Sequence, residues 1–267
     1  MIDKEGHAVA KVPAVTLGYW LIKILATTLG ETGGDAVSMS WLGETTPEAG
    51  ASGLNGYLVG TAIFGVLLVA FVWLQVRARR FHPWLYWATI LASTTAGTTL
   101  ADFATRSLGL GYPGGALLLF ALVVAALLLW RRNTGSVDIG RVADRRSEGF
   151  YWLTITCSQT LGTALGDWVA DSDLGYDGAA LVFGAALGLT ALLYWRTRVS
   201  PVLLFWTAFI LTRPLGATVG DYLDKPVAKG GLDLSRPVAT LALAATIALL
   251  IVVLPQRPAG APSHNEP

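Results

Sequence analysis

Four aspartates, Asp35, Asp102, Asp167 and Asp221, each fall toward the end of a long and mainly apolar stretch. A carboxylate costs a bilayer-inserted helix at least ~2.5 kcal/mol near its middle, and less toward the interface. Four at matching positions ask for a common reason. Either each satisfies a neighbouring helix end or bounds its helix on the outside, or together they line a route for a cation. Other ligands are scarce. His7, His82 and His264 lie in tails or loops, Cys157 is solitary, and the methionines are Met1 and Met39. That set does not suit copper or a typical zinc site. Carboxylates and hydroxyls suit hard ions such as Mg²⁺, Mn²⁺, Ca²⁺, Na⁺ or H⁺. The four aspartates are therefore the candidate metal ligands.

Their spacing reveals an internal repeat, which is the first thing to seek in a chain. Trp20, Trp87, Trp152 and Trp206 each precede an aspartate by fifteen residues. Ten residues after each tryptophan stands Gly30, Gly97, Gly162 or Gly216. Fourteen after stands Gly34, Ala101, Gly166 or Gly220. An aromatic residue precedes each tryptophan: Tyr19, Tyr86, Tyr151, Phe205. The glycine and alanine pairs form a small-xxx-small pattern, whose ordinary use is close helix packing.

Residues four apart share a helix face. Stepping back from each aspartate gives Lys23, Thr27, Glu31, Asp35 in the first copy and Ile90, Thr94, Thr98, Asp102, continuing to Arg106, in the second. The third copy gives Ile155, Gln159, Thr163, Asp167, continuing to Asp171; the fourth gives Phe209, Arg213, Ala217, Asp221. Each stripe ends in an acid. Such a stripe serves either a hydrated path or hydrogen bonding between helices. The residues expected on a path are Asp35, Asp102, Asp167, Asp221, Glu31, Thr27, Thr94, Gln159, Arg213 and Asp171. The copies are not equal. Glu31 is an extra acid, with Arg213 or Lys23 as its counter-charge, unless Lys23 snorkels toward the cytoplasm. Pro214 removes a backbone donor and bends its helix, for gating or for packing.

The elements that position these residues follow from composition. The 267 residues are 53% hydrophobic and 14% charged, against roughly 25% charged in a soluble domain. The expected fold is an all-α integral membrane protein of about eight transmembrane helices, over 14–36, 54–76, 84–104, 114–131, 150–170, 177–195, 201–222 and 236–254. A β-barrel would show alternating strands instead. Each repeat has two helices, so the four repeats are parallel. Arg77, Arg79, Arg80, Arg131, Arg132, Arg141, Arg145, Arg146, Arg196 and Arg198 fall on one side, which places both termini in the cytoplasm. Trp20, Trp87, Trp152, Trp206, Trp73, Trp130 and Trp195 fall at the same interface, as an aromatic belt would. The chain divides into a cytoplasmic tail (1–13), a first half with repeats 1 and 2 (14–132), a cytoplasmic linker (133–149), a second half with repeats 3 and 4 (150–254) and a disordered tail (255–267). The run Ala14 to Leu29 contains Lys23 and makes a poor signal peptide, so it is read as a retained helix. Glu44 and Glu48, with Asp173 and Asp177, make the outer loops acidic, either to attract cations or simply as solvated loops.

The Leu-Gly-x-x-x-Gly-Asp pattern, seen from Leu161 to Asp167, from Leu215 to Asp221 and from Leu29 to Asp35, resembles a bacterial family of membrane-anchored proteins known as a repeat of unknown function. The second copy departs at Ala96 and Ala101. The resemblance implies the fold and a bacterial inner (cytoplasmic) membrane location, and it supplies no activity or substrate.

Several classes of function are weighed on these residues. The leading expectation is a transporter or exporter of a small hard cation. A proton-coupled carrier of a small polar metabolite is the close variant. An intramembrane aspartyl hydrolase needs two carboxylates sharing a proton. Its nearest motif, Ala164-Leu165-Gly166-Asp167, lacks the first glycine of the presenilin-type pattern. No nucleophile triad or P-loop is present, so no catalytic residue is assigned and an enzyme is the weaker expectation. A scaffold or sensor would lack a soluble domain to transmit a signal. No cofactor is expected. The expected partners are the lipid bilayer and a small cation or polar solute, without nucleic acid; the oligomeric state is left open.

Overall fold

The computed structural model describes residues 10–43 and 55–259. Among them are eight long helices: α1 (Leu17–Asp35), α2 (Gly56–Arg77), α3 (Pro83–Asp102), α4 (Gly111–Thr134), α5 (Arg145–Ala170), α6 (Gly175–Arg196), α7 (Pro201–Asp224) and α8 (Arg236–Val253). They fall on the eight expected stretches, with ends moved by a few residues. Local chemistry sets several of those ends. Thr16 Oγ1 accepts from Tyr19 N, and Asn55 Oδ1 from Leu58 N, which caps α1 and α2. Asp144 Oδ1 accepts from the backbone of Arg146 and Ser147, so α5 begins earlier than expected and the linker shortens. Pro83, Pro201 and Pro237 sit in the first turns of α3, α7 and α8, where a missing N–H costs nothing. Gly135 ends α4 at φ 80, which a glycine adopts without strain. Pro214 lies inside a continuous α7.

Four helices form a closed inner ring. α1 packs on α3, α3 on α5, α5 on α7, and α7 back on α1. The other four lie outside: α2 along α3, α4 along α5, α6 along α7, and α8 along α1. Each outer helix therefore packs on the ring helix of the following repeat, and the last packs on the first.

The N-terminal ends of the ring helices meet in an aromatic layer with the same cyclic order. Tyr19 packs on Trp87 with centroids 5.6 Å apart, Tyr86 on Trp152 at 5.7 Å, Tyr151 on Trp206 at 6.3 Å, and Phe205 on Trp20 at 5.7 Å. Tilted and edge-to-face rings at such spacings attract beyond their buried area. Chain segments seal this end from outside. Ala14 N donates to Arg257 O and Ala259 N to Val12 O, both at 2.8 Å, so the two terminal segments pair. Lys11 binds Glu148 and donates to Ala78 O, which ties α5 to the end of α2.

The outer helices bury few residues of their own, and their exposed faces are apolar: Val66, Val69, Leu117, Leu181, Leu189, Leu241 and Val252, for example. Five helices are long and apolar enough to cross a membrane: α2, α4, α6, α7 and α8. α1, α3 and α5 fall outside that group because their polar and charged residues lower their hydropathy; many of those side chains are buried in the bundle interior.

Two expectations change. The seven tryptophans do not form one lipid-facing belt. Trp87, Trp130, Trp152 and Trp206 are buried, because each closes the aromatic layer, while Trp73 and Trp195 are exposed. Within the C-terminal tail, residues 255–259 are placed against the bundle: Arg257 and Ala259 pair with the N-terminal segment, and Gln256 Oε1 accepts from Trp87 Nε1 at 3.1 Å. The remainder of that tail, His7, and the loop acids Glu44 and Glu48 lie outside the described residues.

Candidate ion column

The stripes of α1, α3, α5 and α7 all face the axis of the ring. They stack in layers of four, one residue from each helix. Tyr19, Tyr86, Tyr151 and Phe205 make the first. Lys23, Ile90, Ile155 and Phe209 follow, then Thr27, Thr94, Gln159 and Arg213, then Glu31, Thr98, Thr163 and Ala217. Asp35, Asp102, Asp167 and Asp221 make the last. All twenty are buried.

Glycines let the layers close. A Cβ on Gly30 would stand 2.3 Å from Thr94 Cγ2, on Gly162 2.3 Å from Arg213 Cγ, and on Gly216 2.2 Å from Thr27 Oγ1. One on Gly97 would stand 3.0 Å from Thr160 N. The second position behaves alike: Gly34 faces Thr98, Gly166 faces Ala217, and Gly220 faces Glu31. α1, α5 and α7 thus each receive the third- and fourth-layer side chains of the next helix into their own missing side chains, while Gly97 of α3 lets α5 approach at Gln159 and Thr160. Ala101, the one alanine in this set, is fully buried.

The first layer joins its hydroxyls, with Tyr86 Oη 2.7 Å from Tyr151 Oη and 3.4 Å from Tyr19 Oη. In the second, Lys23 Nζ donates to Gln159 Oε1 at 3.4 Å and lies 4.2 Å from the Phe209 ring centroid. Lys23 does not snorkel outward; the closed aromatic layer lies between it and that end. Arg213 holds the middle. Its Nη2 is 3.0 Å from Glu31 Oε2 and also donates to Thr98 Oγ1 and Thr163 Oγ1, while Nη1 donates to Thr27 O at 3.3 Å. Glu31 therefore takes Arg213, not Lys23, as its counter-charge.

The four aspartates are joined in pairs by two bases from the next turn. Arg106 Nε is 3.0 Å from Asp102 Oδ1, and its Nη2 is 3.0 Å from Asp167 Oδ2. Lys225 Nζ is 2.9 Å from Asp221 Oδ1 and binds Asp35 Oδ2. Arg236 Nε holds Asp224 at 3.1 Å. Beyond Asp35 and Asp102 the helices widen into π-helical turns, Ala36–Trp41 and Phe103–Ser107, a geometry that recurs at functional sites. Carboxylate oxygens converge twice. Those of Glu31, Asp167 and Asp221 lie within 4.8 Å of one another, and so do those of Asp35, Asp221 and Asp224. Either set could hold a hard cation.

Nine of the ten residues expected on a path line this axis. Asp171 does not: it is exposed at the C-terminal end of α5, where the helix stops before the stripe can carry it inward. Sequence reasoning missed Lys225, Asp224 and Arg236 as partners of the acids. The signal for Lys225 was present, since one more four-residue step from Asp221 reaches it, as the step from Asp102 reaches Arg106. Nothing in the repeat points to Asp224 or Arg236. Thr98 and Thr163 stood on the stripes, and their roles become visible only when Arg213 is seen between them.

A ring of helices with a polar, sealed axis and an apolar outer shell defines a helical membrane protein built from an internal repeat. The family described as Repeat of Unknown Function (DUF347) matches four times, over residues 18–81, 85–136, 150–200 and 204–255. These segments cover most of the chain, and the protein belongs to that family. No curated protein and no solved structure matches it.

Proposed function

We propose that the protein is a membrane transporter or exporter of a small hard cation, carried along the axis of the ring. In this reading all eight helices cross the bilayer as four parallel repeats, the membrane is the bacterial inner membrane, and the aromatic end with both termini faces the cytoplasm. The arginines clustered at that end support the orientation.

One observation carries the reading. At the acid end, Asp35, Asp102, Asp167, Asp221 and Asp224 are five buried carboxylates, and Arg106, Lys225 and Arg236 are the three bases that pair with them. Carboxylates this close require compensating positive charge. Among the described residues this leaves a shortfall of two charges, which one divalent cation or two protons would fill. Oxygen-only ligands favour Mg²⁺, Mn²⁺ or Ca²⁺ over softer metals. Arg106 and Lys225 then act as tethered cations that alternate with the mobile one.

A second reading, a proton-coupled carrier of a small polar solute, is favoured by the tyrosine hydroxyls and Lys23 at the opposite end, which offer proton-exchanging groups and no acids. An aspartyl hydrolase is less well supported, because Asp167 and Asp221 each hold a base of their own. The test is flux in vesicles containing the purified protein, with Mn²⁺, Mg²⁺, Ca²⁺, Na⁺ and H⁺ gradients. Transport of one of these ions is expected, with loss in the Asp35→Asn, Asp102→Asn, Asp167→Asn and Asp221→Asn variants. Flux unchanged in all four folded variants would make the acids structural.

A further inference from the structure

The opposite half of the column has the reverse chemistry. Lys23 is fully buried, and among the described residues no carboxylate stands within ion-pair distance of it. Arg213 spends both Nη atoms on Glu31, Thr98, Thr163 and the carbonyl of Thr27, and its Nε has no acceptor. Gln159 Nε2 and Thr94 Oγ1 have no hydrogen-bond partner among the described residues either. All four residues are at 0% exposure. They occupy two successive layers, which with the Glu31 layer hold two cations against one carboxylate.

A buried donor left unmatched is destabilising, and a charged one more so. Water could accept from the amide and the hydroxyl, but only a negatively charged group would compensate Lys23 in its charged form. The group that fits is an acceptor carrying negative charge. It must be small, because Ile90, Ile155 and Phe209 fill the rest of the Lys23 layer and the tyrosine layer closes above it. We propose that this half of the column binds a small monatomic anion of the chloride type, held by Lys23 Nζ, Gln159 Nε2, Arg213 Nε and Thr94 Oγ1. The site stands on these donors alone and does not depend on the cation reading of the acid end.

The test uses the full-length protein in detergent micelles, exchanged into sodium gluconate and titrated with chloride at constant ionic strength. The unfolding temperature of the wild type should rise saturably with chloride. Lys23→Met should weaken the apparent chloride affinity at least tenfold. Gln159→Glu sets a carboxylate beside Lys23. It should unfold higher than the wild type in gluconate and lose the chloride response. A wild type without a saturable response overturns the proposal, as does a Lys23→Met variant that keeps the wild-type affinity. If Lys23→Met does not fold, a Gln159→Glu variant that still responds to chloride like the wild type overturns it.

Discussion

Arg213 Nη2 lies 3.0 Å from Glu31 Oε2, and both side chains are sealed in the ring, 0% and 3% exposed. The pair joins α7 to α1, the last repeat to the first. A buried ion pair is weak evidence for net stability, because desolvation of both charges offsets their attraction. Removing one partner is different, since it leaves the other charge uncompensated, at a cost of about 3–5 kcal/mol. Arg213→Met and Glu31→Gln should each lower the unfolding temperature in micelles sharply. The double variant should lose less than the two single losses added together. Additive losses would mean that the pair is not energetically coupled.

The glycines make a steric prediction with an internal control. Gly216→Ala puts a methyl group 2.2 Å from Thr27 Oγ1, where two ring helices touch. Overpacking of this kind costs about 1–3 kcal/mol. Gly65→Ala in α2 meets nothing within 4 Å. It should be neutral or stabilising by up to ~1 kcal/mol, since alanine is the better helix former. Thermal unfolding of both variants checks the contrast, and equal effects would contradict the ring packing.

The tethered-cation reading predicts a gain. Lys225→Met removes the base shared by Asp35 and Asp221 and leaves a larger shortfall of positive charge at the acid end. The purified variant should bind Mn²⁺ at least tenfold more tightly than the wild type by titration calorimetry. Weaker binding in a folded variant would argue that Lys225 organises the acids and does not compete with a mobile ion.

Much of this site was legible in the chain. The fifteen-residue step from tryptophan to aspartate located the acids, and the four-residue step back from each located the layers, because a buried helix face repeats at that interval. Two things were not legible. The first is which helix packs on which: sequence repeats pair α1 with α2, yet α2 lies along α3, and local periodicity carries no information about that choice. The second is the fate of the tryptophans. A tryptophan at a helix start reads alike whether it meets lipid or a neighbouring ring. Lys23 was ambiguous for a related reason, since snorkelling depends on what lies between the side chain and water, and here the aromatic layer does.

Asp144 offers a pH test outside the spanning helices. Partial burial alone would raise its carboxyl. Hydrogen bonds from the Ser147 hydroxyl and from the backbone of Ser147 and Arg146 outweigh this and hold it below the ordinary carboxylate range. The ionised cap therefore contributes stability above the unfolded-state value, and that contribution is lost as pH falls through the folded one. Asp144→Ala should cost about 1 kcal/mol at neutral pH. The gap to the wild type should narrow on strong acidification. A gap independent of pH would mean that the charge on the cap is immaterial.

The displaced pairing of outer and ring helices limits what one repeat can do alone. A single two-helix unit has no partner for its outer helix, because the surface that covers it belongs to the next copy. Closure arises only when α8 comes round to α1, so the unit of inheritance and the unit of burial are out of phase. A quarter of this chain, expressed by itself, should be incapable of folding as a monomer. Four separate quarters, however, possess between them the helix surfaces that pack the ring.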